Sequence, residues 1–264
     1  MDLLYEERPL SSWVQELVPA SPPESRLRAK EAIRAVGTNA IPLLVKYLSK
    51  RDNSLTEVLT RKWEKLTKKP SSPEPVFLRS QAVLGFSALG SLGRSAFPEL
   101  KKLMIDKELA YDAARALGAI RDQEAVPLLV DYLDRSEPEM RAAGTAGLGS
   151  MGALARPTVP KLLRLMREDK SDFVRANAVD ALGAIGPPDL VIPVLLERLE
   201  KDESINVRVS AVSALGCFPE RASELENTLQ DAEQDKSERI RAGARLALRR
   251  LREATSAGKK DAEK

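Results

Sequence analysis

Val174-Arg175-Ala176-Asn177-Ala178-Val179-Asp180-Ala181-Leu182-Gly183 says most about the fold, because it does not occur only once. Met140-Arg141 through Leu148-Gly149 and Val207-Arg208 through Leu215-Gly216 repeat it: an apolar residue, an arginine, small residues at fixed steps, then Leu-Gly. In a last copy, Ile240-Arg241 through Leu248-Arg249, arginine stands in the glycine's place. The ends of these four copies lie 34, 33 and 33 residues apart. Toward the N-terminus, Ala35-Val36-Gly37, Ala88-Leu89-Gly90 and Ala116-Leu117-Gly118 extend the series with gaps of 53, 28 and 31. A recurring period of this size marks an array of small supersecondary units.

A second phrase follows most copies: a large apolar residue, proline, then an apolar run. It reads Ile41-Pro42, Phe97-Pro98, Val126-Pro127, Val159-Pro160 and Ile192-Pro193. Proline suits the first turn of a helix, where its missing N–H costs nothing. Leu162, Leu163, Leu165 and Met166 then fall at helical spacing. Each unit is therefore expected to be a helix A rich in Ala and Gly, a turn, and a Leu-rich helix B. One such pair cannot bury its apolar face alone, so the pairs must stack.

Unit length and phrasing resemble HEAT repeats of the short type, including the phycobilisome-lyase-like group, over residues 26–49 and 77–253. The stretch from Tyr5 and Trp13 to Ala32-Ile33-Arg34 and Pro42 is similar to that of bacterial HEAT-repeat proteins. The expected fold is all-α, an α-solenoid of stacked helical pairs forming one domain over 1–254. Within it, 1–25 is a capping segment with a Ser-capped helix that lays Trp13 and Leu17 over the first pair. Residues 50–76 are an inserted helix (54–67) and a stiff Pro-rich linker, and 236–254 a capping helix. Residues 255–264 are expected to be a disordered charged tail.

Composition agrees with a helical array. Aromatics are only 4% and the good helix formers abound, whereas strands favour aromatic and branched residues. No β-sheet is expected. The chain has no histidine, which excludes a Ser-His-Asp triad and imidazole metal sites. Its one cysteine, Cys217, permits neither an internal disulfide nor a thiolate metal site. No catalytic, cofactor or metal residue is assigned, and the chain is read as a non-enzyme. HEAT-like arrays do include bilin lyases and a deoxyhypusine hydroxylase. The latter type needs His-Glu metal ligands, which this sequence cannot supply. The sequence lacks an apolar run of membrane-spanning length and a basic-then-apolar leader, so a cytoplasmic, monomeric protein is expected.

Two motifs invite sharper readings. Gly147-Leu148-Gly149-Ser150-Met151-Gly152 fits a dinucleotide loop in spelling, but that motif needs a strand before it. Here the residues before it are already in helical register. Arg141, Arg175, Arg208 and Arg241 recur once per unit, each preceded by acids such as Asp169, Asp202 and Asp235. An acid–arginine ladder between repeats is expected, in preference to a phosphate-binding stripe.

Helix B usually lines the concave side of such superhelices, the usual partner surface. Four and five residues past its proline stand Lys46, Tyr47, Lys102, Asp131, Tyr132, Arg164, Glu197 and Arg198. Their mixed signs suit a protein or peptide partner better than nucleic acid. The alternative is an anionic partner on the basic C-terminal helix. Residues 236–264 hold ten Lys/Arg against four acids. A polar terminal cap accounts for the same charges, and a bilin-lyase-like activity is the third reading.

Overall fold

The computed structural model describes residues 3–51 and 74–262, and for 257–262 the backbone alone. The inserted helix and most of its linker, with Arg61, Lys62, Trp63 and Lys65, fall outside the described residues. Contacts divide the chain into two compact units, Met1–Ala125 and Val126–Lys264.

Unit 1 opens with a small antiparallel hairpin, β1 (Leu4–Tyr5) and β2 (Arg8–Pro9), paired Leu4↔Pro9 and Tyr5↔Arg8. Its two-residue turn forces Glu6 and Glu7 to φ values of 49° and 61°. The expectation of no sheet fails here, on four residues. Helix α1 (Leu10–Gln15) follows, with Pro9 rather than a serine at its N-cap, because Ser11 and Ser12 lie inside the helix. Trp13 and Leu17 are buried, and the Trp13 indole N–H donates to the Tyr5 carbonyl at 3.2 Å. The Arg8 guanidinium lies 4.4 Å from the Trp13 ring centroid and pairs with Glu16 at 2.7 Å.

The pairs then begin. In unit 1 the A helices are α2 (Pro23–Val36), α4 (Pro75–Leu89) and α6 (Ala110–Ile120). The B helices are α3 (Ile41–Leu48) and α5 (Phe97–Leu103). Leu44, Phe86, Leu100, Met104 and Leu117 are wholly buried between them, each contributing about 1.5–3 kcal/mol. Helix α7 (Ala125–Tyr132) spans the boundary between the units.

In unit 2 the A helices are α8 (Pro138–Met151), α10 (Asp172–Ile185), α12 (Ile205–Leu215) and α14 (Glu238–Ala262). The B helices are α9 (Val159–Glu168), α11 (Pro188–Lys201) and α13 (Ala222–Ala232). Prolines open α3, α5 and α9 as expected. Pro193 does not: it lies inside α11, which starts earlier because Pro188 already takes the first position. Helix α14 runs through 255–262, which composition alone reads as a disordered tail; the Ala and Lys there are good helix formers.

The helix ends revise the register of the early copies. Gly37, Gly90 and Gly152 close α2, α4 and α8 with φ of 61°, 53° and 62°, a left-handed turn that glycine takes without strain. Arg121 does the same for α6 at φ 58°. Gly90 therefore matches Gly152, not Gly149. Counted from these ends, the steps 90 to 121 and 121 to 152 are both 31.

Gly149, Gly183 and Gly216 serve a different purpose. A Cβ on each would sit 3.0 Å from Ala181 Cα, 2.8 Å from Ala214 Cβ and 2.8 Å from Ala247 Cα. Within unit 2 the A helices thus approach one another at backbone distance, while successive B helices touch little. The A layer is the tighter of the two.

Candidate functional site

The eight residues singled out on the B helices have unequal surroundings. In unit 1, Lys46 is exposed and Tyr47 half-buried, both on a cavity that Leu3, Leu10, Pro42 and Leu43 also line. Lys102 is exposed on α5. In unit 2, Tyr132 is only 7% exposed, and Arg135 lies over its ring at 5.5 Å while also pairing with Asp131 at 2.6 Å. Burial raises the Tyr132 hydroxyl's pKa, and Arg135 partly opposes this. Arg164 stands exposed, 3.9 Å from Asp134. Arg198 is turned inward between Glu197 at 2.8 Å and Asp202 at 3.5 Å. Tyr132 and Arg198 are therefore occupied by the fold itself.

The arginine register is a ladder, and each rung reaches forward. Arg141 grips Asp169 through Nε at 2.7 Å and Nη2 at 2.8 Å. Arg175 grips Asp202 the same way, at 3.1 and 2.9 Å, and Arg208 holds Asp235 at 2.7 Å. Each aspartate also accepts the backbone N–H two residues on, from Ser171, Ser204 and Ser237. Arg141 and Arg175 close the other side by donating to backbone carbonyls of their own preceding loops. Burial pushes the Asp169 and Asp202 carboxyls up, but the guanidinium and serine N–H bonds outweigh it and hold both below the ordinary range. Arg241 pairs with Glu238 of its own helix and donates to the Asp235 and Lys236 carbonyls of its preceding loop.

The tighter A layer of unit 2 presents a face that the sequence reading passed over. Phe173, Asp180 and Ala184 on α10 are exposed, as are Cys217 just beyond α12 and Arg250 on α14. Asp180 is open on one side and crowded on the others. That burial raises its carboxyl's pKa, with the Ser210 hydroxyl pulling it part of the way back. Burial likewise raises the Cys217 thiol, and Arg250 lowers it. The signal available in sequence was the very glycine that marks the tight layer.

The G-x-G-x-x-G residues lie in α8 up to Met151, helical throughout, with Gly152 as its cap. The basic α14 answers its own charge: Arg245 pairs with Glu238 at 2.7 Å, Arg249 with Glu253 at 3.8 Å and Arg252 with Glu226 at 3.0 Å. Among the described residues no His/Cys/Asp/Glu group could hold a metal ion, and no helix is long and apolar enough to cross a membrane.

Stacked A/B pairs with this ladder define an α-solenoid repeat protein. Residues 97–183 and 192–259, more than half of the chain, match the family of HEAT repeats. The chain belongs to the HEAT-repeat family. No curated protein matches it. Among solved structures it is similar to the complex of CpcE and CpcF of phycocyanin lyase from Nostoc sp. PCC7120. Identity there is 19% and the TM-score 0.46, covering 95% of this chain and 98% of that one. A designed armadillo repeat protein in complex with the peptide (KR)4 gives 17% identity and a TM-score of 0.41, over 92% and 99% of the two chains. Human deoxyhypusine hydroxylase gives 19% and 0.39, over 92% and 96%.

Proposed function

We propose that this HEAT-repeat protein is a non-enzymatic, monomeric scaffold that binds another protein. We place the binding face of unit 2 on its A helices rather than on its B helices. The observation that carries this reading is the backbone-distance approach of α8, α10, α12 and α14, which makes the A layer the tighter one and supports taking it as the inner side. Repeat proteins bind on the inner surface of their curvature. The face offers an aromatic ring, Phe173, beside charges of both signs, Asp180 and Arg250. Such a mixture suits a protein surface better than a polyanion. In unit 1 the cavity beside Lys46 and Tyr47 is kept as a secondary contact.

The test is affinity capture from the native cell with wild type and with Asp180→Arg. Proteins held by the wild type and lost from the variant, with melting unchanged, support the face. Capture unaffected by Asp180→Arg but lost on Arg164→Glu would return the site to helix B. Capture of nucleic acid, released by moderate salt, would overturn the scaffold reading.

A further inference from the structure

Two repeats build the same cavity and finish it differently. Arg94 stands four residues after the cap Gly90, and Arg156 four residues after the cap Gly152. In unit 1, Arg94 lines a cavity of about 380 Å³ with Ile120, Asp122 and Glu124. In unit 2, Arg156 lines one of about 300 Å³ with Ile185, Pro187 and Pro188. The match holds residue by residue. Ile120 and Ile185 each precede the residue that ends an A helix, and Asp122 and Pro187 each follow it.

The unit 1 cavity is closed by its own acids. Arg94 pairs with Asp122 at 2.8 Å and with Glu124 at 2.5 Å. In unit 2 the position of Asp122 is Pro187, which has no carboxylate. The match ends there: by count the position of Glu124 is Asp189, which lies inside α11, is outside the cavity lining and is held by Arg221. Among the described residues Arg156 makes no ion pair and no side-chain hydrogen bond, and it is exposed. Pro187 and Pro188 give the lining an apolar strip, with Ile185 and Phe218 almost wholly buried behind it, and a second charge, Glu220, also lines the cavity.

We propose that the unit 2 cavity docks a partner polypeptide through one acidic side chain that pairs with Arg156, next to an apolar side chain set against Pro187 and Pro188. The partner's carboxylate takes the place that Asp122 fills in the other cavity. Charge complementarity selects the occupant: Arg156 asks for one acid, and Glu220 repels a second while accepting a backbone N–H or a lysine. This inference rests on the scaffold reading but names a surface separate from the Asp180 face.

Random dodecapeptides displayed on phage and selected on the full chain provide the probe. Enrichment of Asp or Glu beside an apolar residue is expected. Synthetic versions, N-acetylated and C-amidated, should bind about tenfold more weakly to Arg156→Gln, the loss of one charge-assisted pair. Pro187→Asp rebuilds the closing acid in place and should abolish binding while leaving Arg156 present. It does not threaten folding, because Pro187 is the N-cap of α11 and aspartate is among the best residues there. Glu220→Gln should tighten binding, and Arg94→Gln should leave it unchanged. Cys217, the one cysteine of the sequence, lines the same cavity, so bound peptide should slow its alkylation. Failure to select any peptide, selection without acidic enrichment, or binding indifferent to Arg156→Gln and Pro187→Asp would overturn the proposal. A partner still captured through the Asp180 face would then leave the scaffold reading standing.

Discussion

Arg79 in unit 1 and Arg175 in unit 2 hold the same place in their helices but find different partners. Arg175 grips Asp202 in the loop that ends the next B helix. Arg79 bonds instead to Asp112 at 3.1 Å, in the first turn of the next A helix, and to the Lys50 carbonyl at 2.7 Å, with Glu108 of the preceding loop 3.6 Å away. Spacing differs too. Steps of 33 and 34 in unit 2 leave room for a loop of Asp, one residue, then Ser. The 31-residue step from 90 to 121 in unit 1 shortens the loop, whose own Asp106 accepts the Glu108 N–H at 2.9 Å and pairs with Arg51, so that Arg79 meets Asp112 on the helix. The arginine's role is fixed, while the loop's length decides which backbone supplies the acid.

Removing the rungs gives the largest contrast. Arg175→Ala takes the two-pronged partner from the buried Asp202, whose side chain is 2% exposed, and leaves it Arg198 at 3.5 Å, so the cost should lie toward the low end of about 3–5 kcal/mol. Arg241→Ala, whose partner Glu238 is exposed and on the same helix, should barely move the urea midpoint. Equal losses at both positions would break the ladder account.

Packing comes next. Ala181→Leu should cost about 1–3 kcal/mol, because Gly149 lies against Ala181 at backbone distance. Counted from the helix ends, the position of Gly149 in unit 1 is Ser87, which is exposed. Ser87→Leu should therefore leave the melting temperature nearly unchanged.

A smaller effect has the opposite sign. Gln81 is fully buried, and among the described residues neither its amide oxygen nor its nitrogen has a partner. Its counterpart Asn177 donates to the Phe173 carbonyl at 2.8 Å. Gln81→Met should stabilise by about 1 kcal/mol in denaturant titration, since an unmet buried amide is costly. Asn177→Leu should not stabilise.

The gentlest probe is pH. Asp169 and Asp202 have pKa values below their unfolded ones, so their contribution is present above the ordinary aspartate pKa of about 3.9 and lost as pH falls through the folded values. Melting temperatures should be flat near neutrality and drop in acid. Arg175→Ala should flatten that drop.

The helical array and the ladder were legible in sequence because both repeat: stacking and ion pairing act at a fixed period, and the period is written in the residues. The register of Gly90 was not, because two glycines with different duties follow the same Ala-Leu pair. Gly183 has no side chain so that Ala214 can approach, whereas Gly90 is needed for its left-handed turn. Only backbone angles separate them. The B-helix residues were harder still. Whether Tyr132 or Arg198 faces water depends on neighbours such as Arg135 and Asp202, and which layer is inner depends on a distance between chain segments some 30 residues apart. The Arg156 cavity was invisible for the same reason, since its walls come from three successive repeats.

The ladder also has a direction in time. Arg141 waits for Asp169, Arg175 for Asp202 and Arg208 for Asp235, each 27 or 28 residues later. At the ordinary pace of translation that delay is on the order of seconds. Until then the nascent unit holds an unanswered cation, and its helix lacks the contact that fastens it to the next repeat. Each loop, on leaving the ribosome, fastens the repeat made before it. Glu238 lies three residues before Arg241, so that arginine is made after its acid and waits for nothing.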